Sequence, residues 1–427
     1  MRRRLQLLAA SLISLFFVAG GLYFGGDRLR QVPRPGFLGH YEHEKPPEKP
    51  VKEPTQDPLI YGPILAEIDV RTFVDAILYR KPTHLVNLQC PVINNTRYES
   101  LRTADASHPS LRYFFALNLR ENLHVLPRLL GSVVEVIQFL GPQHCALSIV
   151  EGNSPDGTRE VLAALRPGLD ALGITFSLQS SRIDPSTSDR IPKLAELRNL
   201  ALQPLIDGSG RANKGTTIVF INDVAACPDD ILELAFQRKN LGADMTCAMD
   251  WSHIRSIPSF YDVWISRDMN GDSFFEIPPS GSWDWSTFLF WNANETRTRF
   301  SNFRPFQVFS CWNGAVTFGA QPILENLRFR AANLAAGECF QGEPQLLCKD
   351  MWFRGYGKIA VVPTVNLEYS VENAKDIKEK KGFATDLVAK QNLSDDMIAW
   401  QPNPPDMVRC MPSWKDQSWK PWNETLT

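Results

Sequence analysis

Residues 216–223 read Thr-Thr-Ile-Val-Phe-Ile-Asn-Asp. A short apolar run rich in β-branched residues, closed by a polar pair, is the pattern of a strand buried on both faces. Pro228-Asp229-Asp230 follows at once and carries helix-start chemistry, proline in the first turn and acids beside it. The same alternation repeats upstream. Arg112–Leu119 (RYFFALNL) is a short apolar run before a helical stretch over 125–140. Cys145–Val150 (CALSIV) precedes a helix that begins near Asp156-Gly157-Thr158. Ile174–Leu178 precedes a helix over 191–206, and Ala243–Met249 supplies a fifth strand. Strands alternating with helices of this length predict an α/β fold, with a mostly parallel sheet covered by helices on both faces. Beyond it, 311–322 and 358–365 look strand-like and 338–353 helical, as does 64–80 near the start. The stretch 251–310 is dense in Trp, Phe, Asp and Ser without a period, and 371–427 shows no strong pattern.

The chain has 427 residues, 44% hydrophobic and 22% charged, with a formal net charge of −2. Such a composition builds a packed core and excludes wholesale disorder. It lacks the basic excess of a nucleic-acid-binding protein, so no nucleic acid is expected as a partner. Eight cysteines are too sparse for a disulfide-scaffold mini-protein. No Cys-x-x-Cys occurs, and neither Gly-x-Ser-x-Gly nor His-Glu-x-x-His is found, which argues against a structural zinc site and the common hydrolases.

Arg2, Arg3 and Arg4 precede an uncharged apolar run over 5–26. As a helix that run spans roughly 33 Å, one hydrocarbon core. The arginines belong on the cytosolic side, which puts the rest of the chain in the lumen. The expectation is a cytosolic tail (1–4), a single transmembrane signal anchor (5–26) and a Pro-rich stem (27–58). A lumenal domain over 59–370 and a C-terminal extension over 371–427 complete the layout. Within the domain, 110–250 is the nucleotide-binding half and 251–370 the acceptor half. The rival reading of the run is a cleaved signal peptide. Sequons begin at Asn94, Asn294, Asn392 and Asn423, acceptors for glycosylation in a lumenal protein.

An open α/β sheet binds ligands beyond the carboxyl ends of its strands. The turn after the second strand holds Glu151, Asn153, Ser154 and Asp156, with helix capping as the plain alternative for Asp156 or Ser154. After the fourth come Asn222 and Asp223, the latter well placed to present a carboxylate to Mg²⁺ or Mn²⁺ bound on a diphosphate. Arg190, Lys193 and Arg198 lie on or near the helix over 191–206 and can neutralise a diphosphate, unless they only solvate its face.

Together these stretches resemble a GT-A glycosyltransferase of Rossmann type. More narrowly they are similar to the fungal α-1,3-mannosyltransferase and capsule-associated family, glycosyltransferase family 69. The likeness runs through IVEGNS with Asp156-Gly157-Thr158, then LAELRN, FINDVAACPDDILEL, CAMDW, SCWNGAVTF, Glu338-Cys339, Asp350-Met351-Trp352 and VPTVNLEYS, over roughly 110–370. The resemblance implies a Golgi membrane enzyme that transfers mannose from GDP-mannose to a mannose-containing glycan or polysaccharide, with retention. It implies Asp223 as the ligand of Mn²⁺ or Mg²⁺, beside Asn222. Glu151, Asn153 and Asp156 would face the nucleoside, and Arg190 and Arg198 the diphosphate. Aromatics of 251–291 and Trp312 would form the acceptor surface. Carboxylates stabilise oxocarbenium-like transition states. The candidates are Asp250, Glu338, Glu343 and Asp350, with Glu338 and Asp350 favoured. Cys311 and Cys339 would be disulfide partners. The sequence departs from the GT-A pattern in having no histidine after His253 to act as a late metal ligand. A different nucleotide-sugar donor, or a non-catalytic lumenal protein serving polysaccharide export, are the competing readings.

Overall fold

The computed structural model describes residues 64–102, 111–186, 189–208 and 211–426. The expected tail, anchor and stem lie outside them. Among the described residues no helix is long and apolar enough to cross a membrane. Gln56–Thr427 forms one compact unit.

Nine strands form the main sheet: β1 (Tyr113–Leu119), β2 (Cys145–Glu151), β3 (Thr175–Ser180), β4 (Thr217–Ile221), β5 (Met245–Ile254), β6 (Ile257–Phe260), β7 (Phe306–Gln307), β8 (Ala315–Gly319) and β9 (Ile359–Leu367). The order is β3-β2-β1-β4-β8-β5-β9-β7, with β6 paired to β5. β3, β2, β1, β4, β5 and β9 run one way, and β8 and β7 run against them. The mostly parallel sheet is therefore present. One neighbour relation differs from a simple reading of strand order: β8 inserts antiparallel between β4 and β5.

The central strands are buried on both faces. In β1, Phe114 and Ala116 enter one core while Tyr113, Phe115, Leu117 and Leu119 enter the other. In β4, Ile218 and Phe220 oppose Val219 and Ile221 in the same way. This period of two is what makes TTIVFI a continuous apolar run. The helices α1 (Glu67–Tyr79), α2 (Leu126–Leu140), α3 (Thr158–Ala164) and α5 (Pro228–Leu241) cover the second core. The first is covered by α4 (Arg190–Asp207) and α6 (Glu343–Phe353). Helix α5 starts as its sequence demands: Pro228 is in the first turn and the Asp230 carboxylate accepts from the Cys227 N–H at 2.8 Å. It ends at Gly242, whose φ of 61° is the left-handed conformation of a helix cap.

Pairing of β5 with β9 shifts between Cys247 and Met249. Pro363 falls in the shifted segment, where its missing N–H leaves no gap in the ladder.

Between the β5–β6 hairpin and β7, the unpatterned stretch is ordered by its rings rather than by a ladder. Phe274 lies 5.1 Å from Phe260 and 4.7 Å from Phe290, and Phe290 lies 5.0 Å from Phe306. All four are fully buried, as is Trp312. Phe260, Phe274, Phe290 and Trp312 are core, which corrects the expectation that they form part of an acceptor surface; Trp285, Phe288 and Phe303 are exposed aromatics of this stretch.

The C-terminal segment is stitched to the same unit. Helix α7 (Val371–Lys381) sends the Lys378 ammonium to the buried Asp230 at 2.6 Å, and Trp414 packs edge-on against Trp264. Disulfides join Cys90 to Cys227, Cys247 to Cys311 and Cys339 to Cys410. The expected Cys311–Cys339 pair is replaced. The cause is topological: β8 runs beside β5, so the segment that leads into it carries Cys311 to the Cys247 of β5.

Candidate functional site

Because β1, β2 and β4 are parallel, their carboxyl ends open on one edge, with Leu119 level with Glu151 and Leu117 level with Ile221. The loops that leave them are tied together by side chains. Asp156 accepts from the Leu123 N–H and the Thr158 N–H, each at 3.0 Å. Ser154 Oγ accepts from the Glu121 N–H at 2.9 Å, and Thr158 Oγ1 from the Asn122 N–H at 3.0 Å. Glu151 is fully buried and braces the turn, accepting from the Ser154 N–H and, at 3.3 Å, from Ser180 Oγ. Asn153 holds the left-handed conformation (φ 56°) that lets the turn reverse. Glu151 and Asp156 thus hold the turn's shape with oxygens already engaged by the chain.

Asn122 is buried and donates from Nδ2 to Asp223 Oδ2 at 3.1 Å. Asp223 is half-buried. A half-open carboxylate held by a neighbour is an oxygen donor of the kind Mg²⁺ or Mn²⁺ takes, so the residue fits such an ion in chemistry. Asn222 is fixed differently: its N–H donates to the Gly314 carbonyl at 2.8 Å and its Oδ1 accepts from Trp312 Nε1 at 3.0 Å.

Gly314 has φ of 82°, and a Cβ there would lie 3.2 Å from both Asp250 Cβ and Val224 Cγ1. The close approach brings the Asp223 loop against β5. Asp250, fully buried on β5, accepts from the Tyr369 hydroxyl at 2.6 Å, while its Oδ1 has no partner among the described residues. Burial, then the nearby Asp262 charge, pushes the Asp250 carboxyl well above the usual carboxylate range. Asp262 accepts from the Asn313 N–H at 2.8 Å, and burial lifts it to about 6. Tyr261 and Tyr369 pack ring to ring at 4.9 Å. Burial raises the Tyr261 phenol, with Asp250, Asp262 and Asp223 raising it further and Arg190 opposing them. Asp223, Asp250, Asp262 and Arg190 therefore share one electrostatic neighbourhood around Tyr261.

Other candidates go elsewhere. Arg198 lies 4.4 Å over the Trp312 ring and bonds Glu343 at 2.8 Å, inside the core beneath the edge. Arg330 binds Glu338 at 2.7 Å and Asp350 at 2.7 Å, and Lys349 binds Glu338 again at 2.7 Å. Those partners hold Glu338 down at about 2 against its burial. Glu338 and Asp350 are thus joined to each other through Arg330, not to Asp223 or Asp250. Cys227, Asp229 and Asp230 cluster at metal-ligand spacing. Their chemistry is already used: Cys227 is in a disulfide, Asp230 holds Lys378 and Asp229 accepts from Thr385.

Asn122, Asp262, Tyr261 and Tyr369 were given no role from the sequence, although Asn122 closes the turn after the first strand and Tyr369 lies within VPTVNLEYS. One signal was available for Tyr369. It lies just past β9, which points the same way as β4, so the rule of strand carboxyl ends applies to it as well.

An α/β sheet with a carboxylate-rich carboxyl edge is the class of protein defined so far. The model of the family described as Cryptococcal mannosyltransferase 1 matches residues 112–350. The chain belongs to that family. An alpha-1,3-mannosyltransferase of Cryptococcus neoformans var. neoformans is 40% identical over 283 residues, 64% of this chain and 60% of the relative. The chain thus matches somewhat under two thirds of that relative's length. Among solved structures, a Pyrobaculum calidifontis mannosyltransferase in complex with GDP-Man and Mn²⁺ is 10% identical, covering 71% of this chain and 67% of that one, at a TM-score of 0.36. S. aureus TarS (residues 1–349) is 11% identical, covering 66% of each chain, at a TM-score of 0.35. Overlaps this loose carry no argument about substrate or metal.

Proposed function

We propose that the protein is a glycosyltransferase that moves mannose from GDP-mannose to a mannose-containing glycan or polysaccharide, forming an α-1,3 linkage with retention. The observation that carries the reading is the meeting of Asp223, held by Asn122, with the Asp250–Tyr369 pair and Asp262 at the carboxyl edge of the sheet. Family membership supports the sugar and the linkage. Asp223 would hold a divalent ion, Mn²⁺ or Mg²⁺, which would supply Lewis-acid neutralisation of the departing diphosphate. Arg190 adds positive charge on the same side. The turns after β1 and β2, locked by Asp156 and Ser154, shape the nucleoside end. Asp250 and Asp262 supply carboxyl groups in the same electrostatic neighbourhood as Asp223, and in its ionised form such a group would stabilise an oxocarbenium-like centre. The Arg-flanked apolar run over 5–26 supports a type II anchor in a Golgi membrane, with the sheet domain lumenal.

The test uses the purified full chain, a panel of nucleotide sugars, and Mn²⁺ or a chelator. The expected result is turnover of GDP-mannose that needs the metal and is lost in Asp223→Ala at an unchanged melting temperature. Preference for another donor would overturn the mannose assignment. No binding of any nucleotide sugar would favour a non-catalytic role in polysaccharide export.

A further inference from the structure

Glu368 and Tyr369 lie where β9 leaves the sheet, and they touch three parts of the site. The Glu368 carbonyl accepts from the Ala225 N–H at 2.7 Å, in the loop that carries Asp223. The Tyr369 carbonyl lies 3.3 Å from His124 Nε2, in the loop that carries Asn122. The Tyr369 hydroxyl donates to Asp250 Oδ2 at 2.6 Å. Asp250 is fully buried, and its second oxygen is unpartnered among the described residues. The Tyr369 hydroxyl is the side-chain group that orients that carboxyl, beside backbone N–H groups of Asp262 and of Asp250 itself. The Tyr261 ring at 4.9 Å stops the Tyr369 ring from swinging away.

We infer that Tyr369 is a positioning residue that fixes Asp250, and through it the sugar end of the site rather than the diphosphate end. The inference rests on the transferase reading above. The separation of roles follows from the bonding: Asp223 is held by Asn122, and Asp250 by Tyr369.

The experiment compares wild type, Tyr369→Phe and Asp250→Asn for GDP-mannose turnover, with melting temperatures measured alongside. Tyr369→Phe keeps the ring packing and removes the hydroxyl. It is expected to lower kcat about tenfold or more, the effect of losing one hydrogen bond to an acidic group. The KM for GDP-mannose and the Mn²⁺ concentration for half-maximal rate should stay within about twofold, because a positioning loss of this kind appears in kcat. Asp250→Asn keeps the shape and the acceptor for Tyr369, removes the acid, and is expected to lower kcat at least as far. An unchanged kcat in Tyr369→Phe, or a fall that follows a raised Mn²⁺ requirement or a collapsed melting temperature, would overturn the inference while leaving the transferase reading intact. If Tyr369→Phe does not fold, full activity in Asp250→Asn overturns it instead. Wild type that turns over no nucleotide sugar would sink the transferase reading, and this role with it.

Discussion

Asn122 Nδ2 lies 3.1 Å from Asp223 Oδ2, joining the loop after β1 to the loop after β4. The same Asn122 is anchored by its own N–H to Thr158 Oγ1, and its Oδ1 accepts from the Arg120 N–H at 2.7 Å. Asp223 is thus aimed by a residue fixed at three atoms. Outer partners of a metal-binding carboxylate commonly change metal affinity by about 10–100-fold. Asn122→Ala is expected to raise the Mn²⁺ concentration for half-maximal turnover within that range. A metal titration of wild type and variant checks it; coincident curves would remove Asn122 from the proposed metal site.

Glu338 answers to a different prediction. Its carboxylate is buried between Arg330 and Lys349, so Glu338→Gln leaves cationic groups short of a partner. Breaking a buried pair from one side costs about 3–5 kcal/mol; the partial exposure of Arg330 puts this site toward the low end. Urea melts should show that loss, while kcat measured well below the melting point stays close to wild type. A large fall in kcat at unchanged stability would restore Glu338 as a catalytic candidate.

Stability should respond to pH in a stated direction. Asp230 and Asp262 titrate at about 6 and Asp268 at about 7 in the folded chain, burial being the main cause in each. Their unfolded value is about 3.9. Between roughly pH 4 and 7 the folded state therefore holds more protons than the unfolded state, and stability falls as pH rises through that window. Glu338 acts oppositely, but its contribution is lost only as pH drops from its unfolded value, about 4.3, through its folded one. Differential scanning calorimetry should give a higher melting temperature at pH 5.5 than at pH 7.5. The reverse order would contradict the burial of these acids.

The Cys339–Cys410 bridge ties the C-terminal segment to the residues before α6. Removing both thiols with Cys339→Ser and Cys410→Ser is expected to cost about 2–4 kcal/mol, the usual range for a bridge that closes a loop. Chemical denaturation checks the value, and a loss of under about 1 kcal/mol would show that packing around Trp414 suffices.

The sequence by itself determined the parallel strands β1 to β5 and the position of their carboxyl edge. Buried strands such as TTIVFI are continuous apolar runs, and proline, acids and glycine mark the ends of α5, so local chemistry alone places Asp223 past β4. It also exposed the turn 151–158, because a polar turn between a strand and a helix is a local pattern. What the tertiary structure decided was company. Nothing local tells Asp250 that Tyr369 lies 2.6 Å away, since 119 residues separate them. Nor does anything local show that Glu338 and Asp350 are neutralised by Arg330, or that β8 slips between β4 and β5 and carries Cys311 to Cys247. The aromatic stretch 251–310 misled for the same reason: Phe and Trp suit a sugar face and a core equally well, and only packing distinguishes them. Periodicity records which face of an element is buried; which residues meet across the sheet's edge depends on long-range pairing that a single sequence does not encode locally.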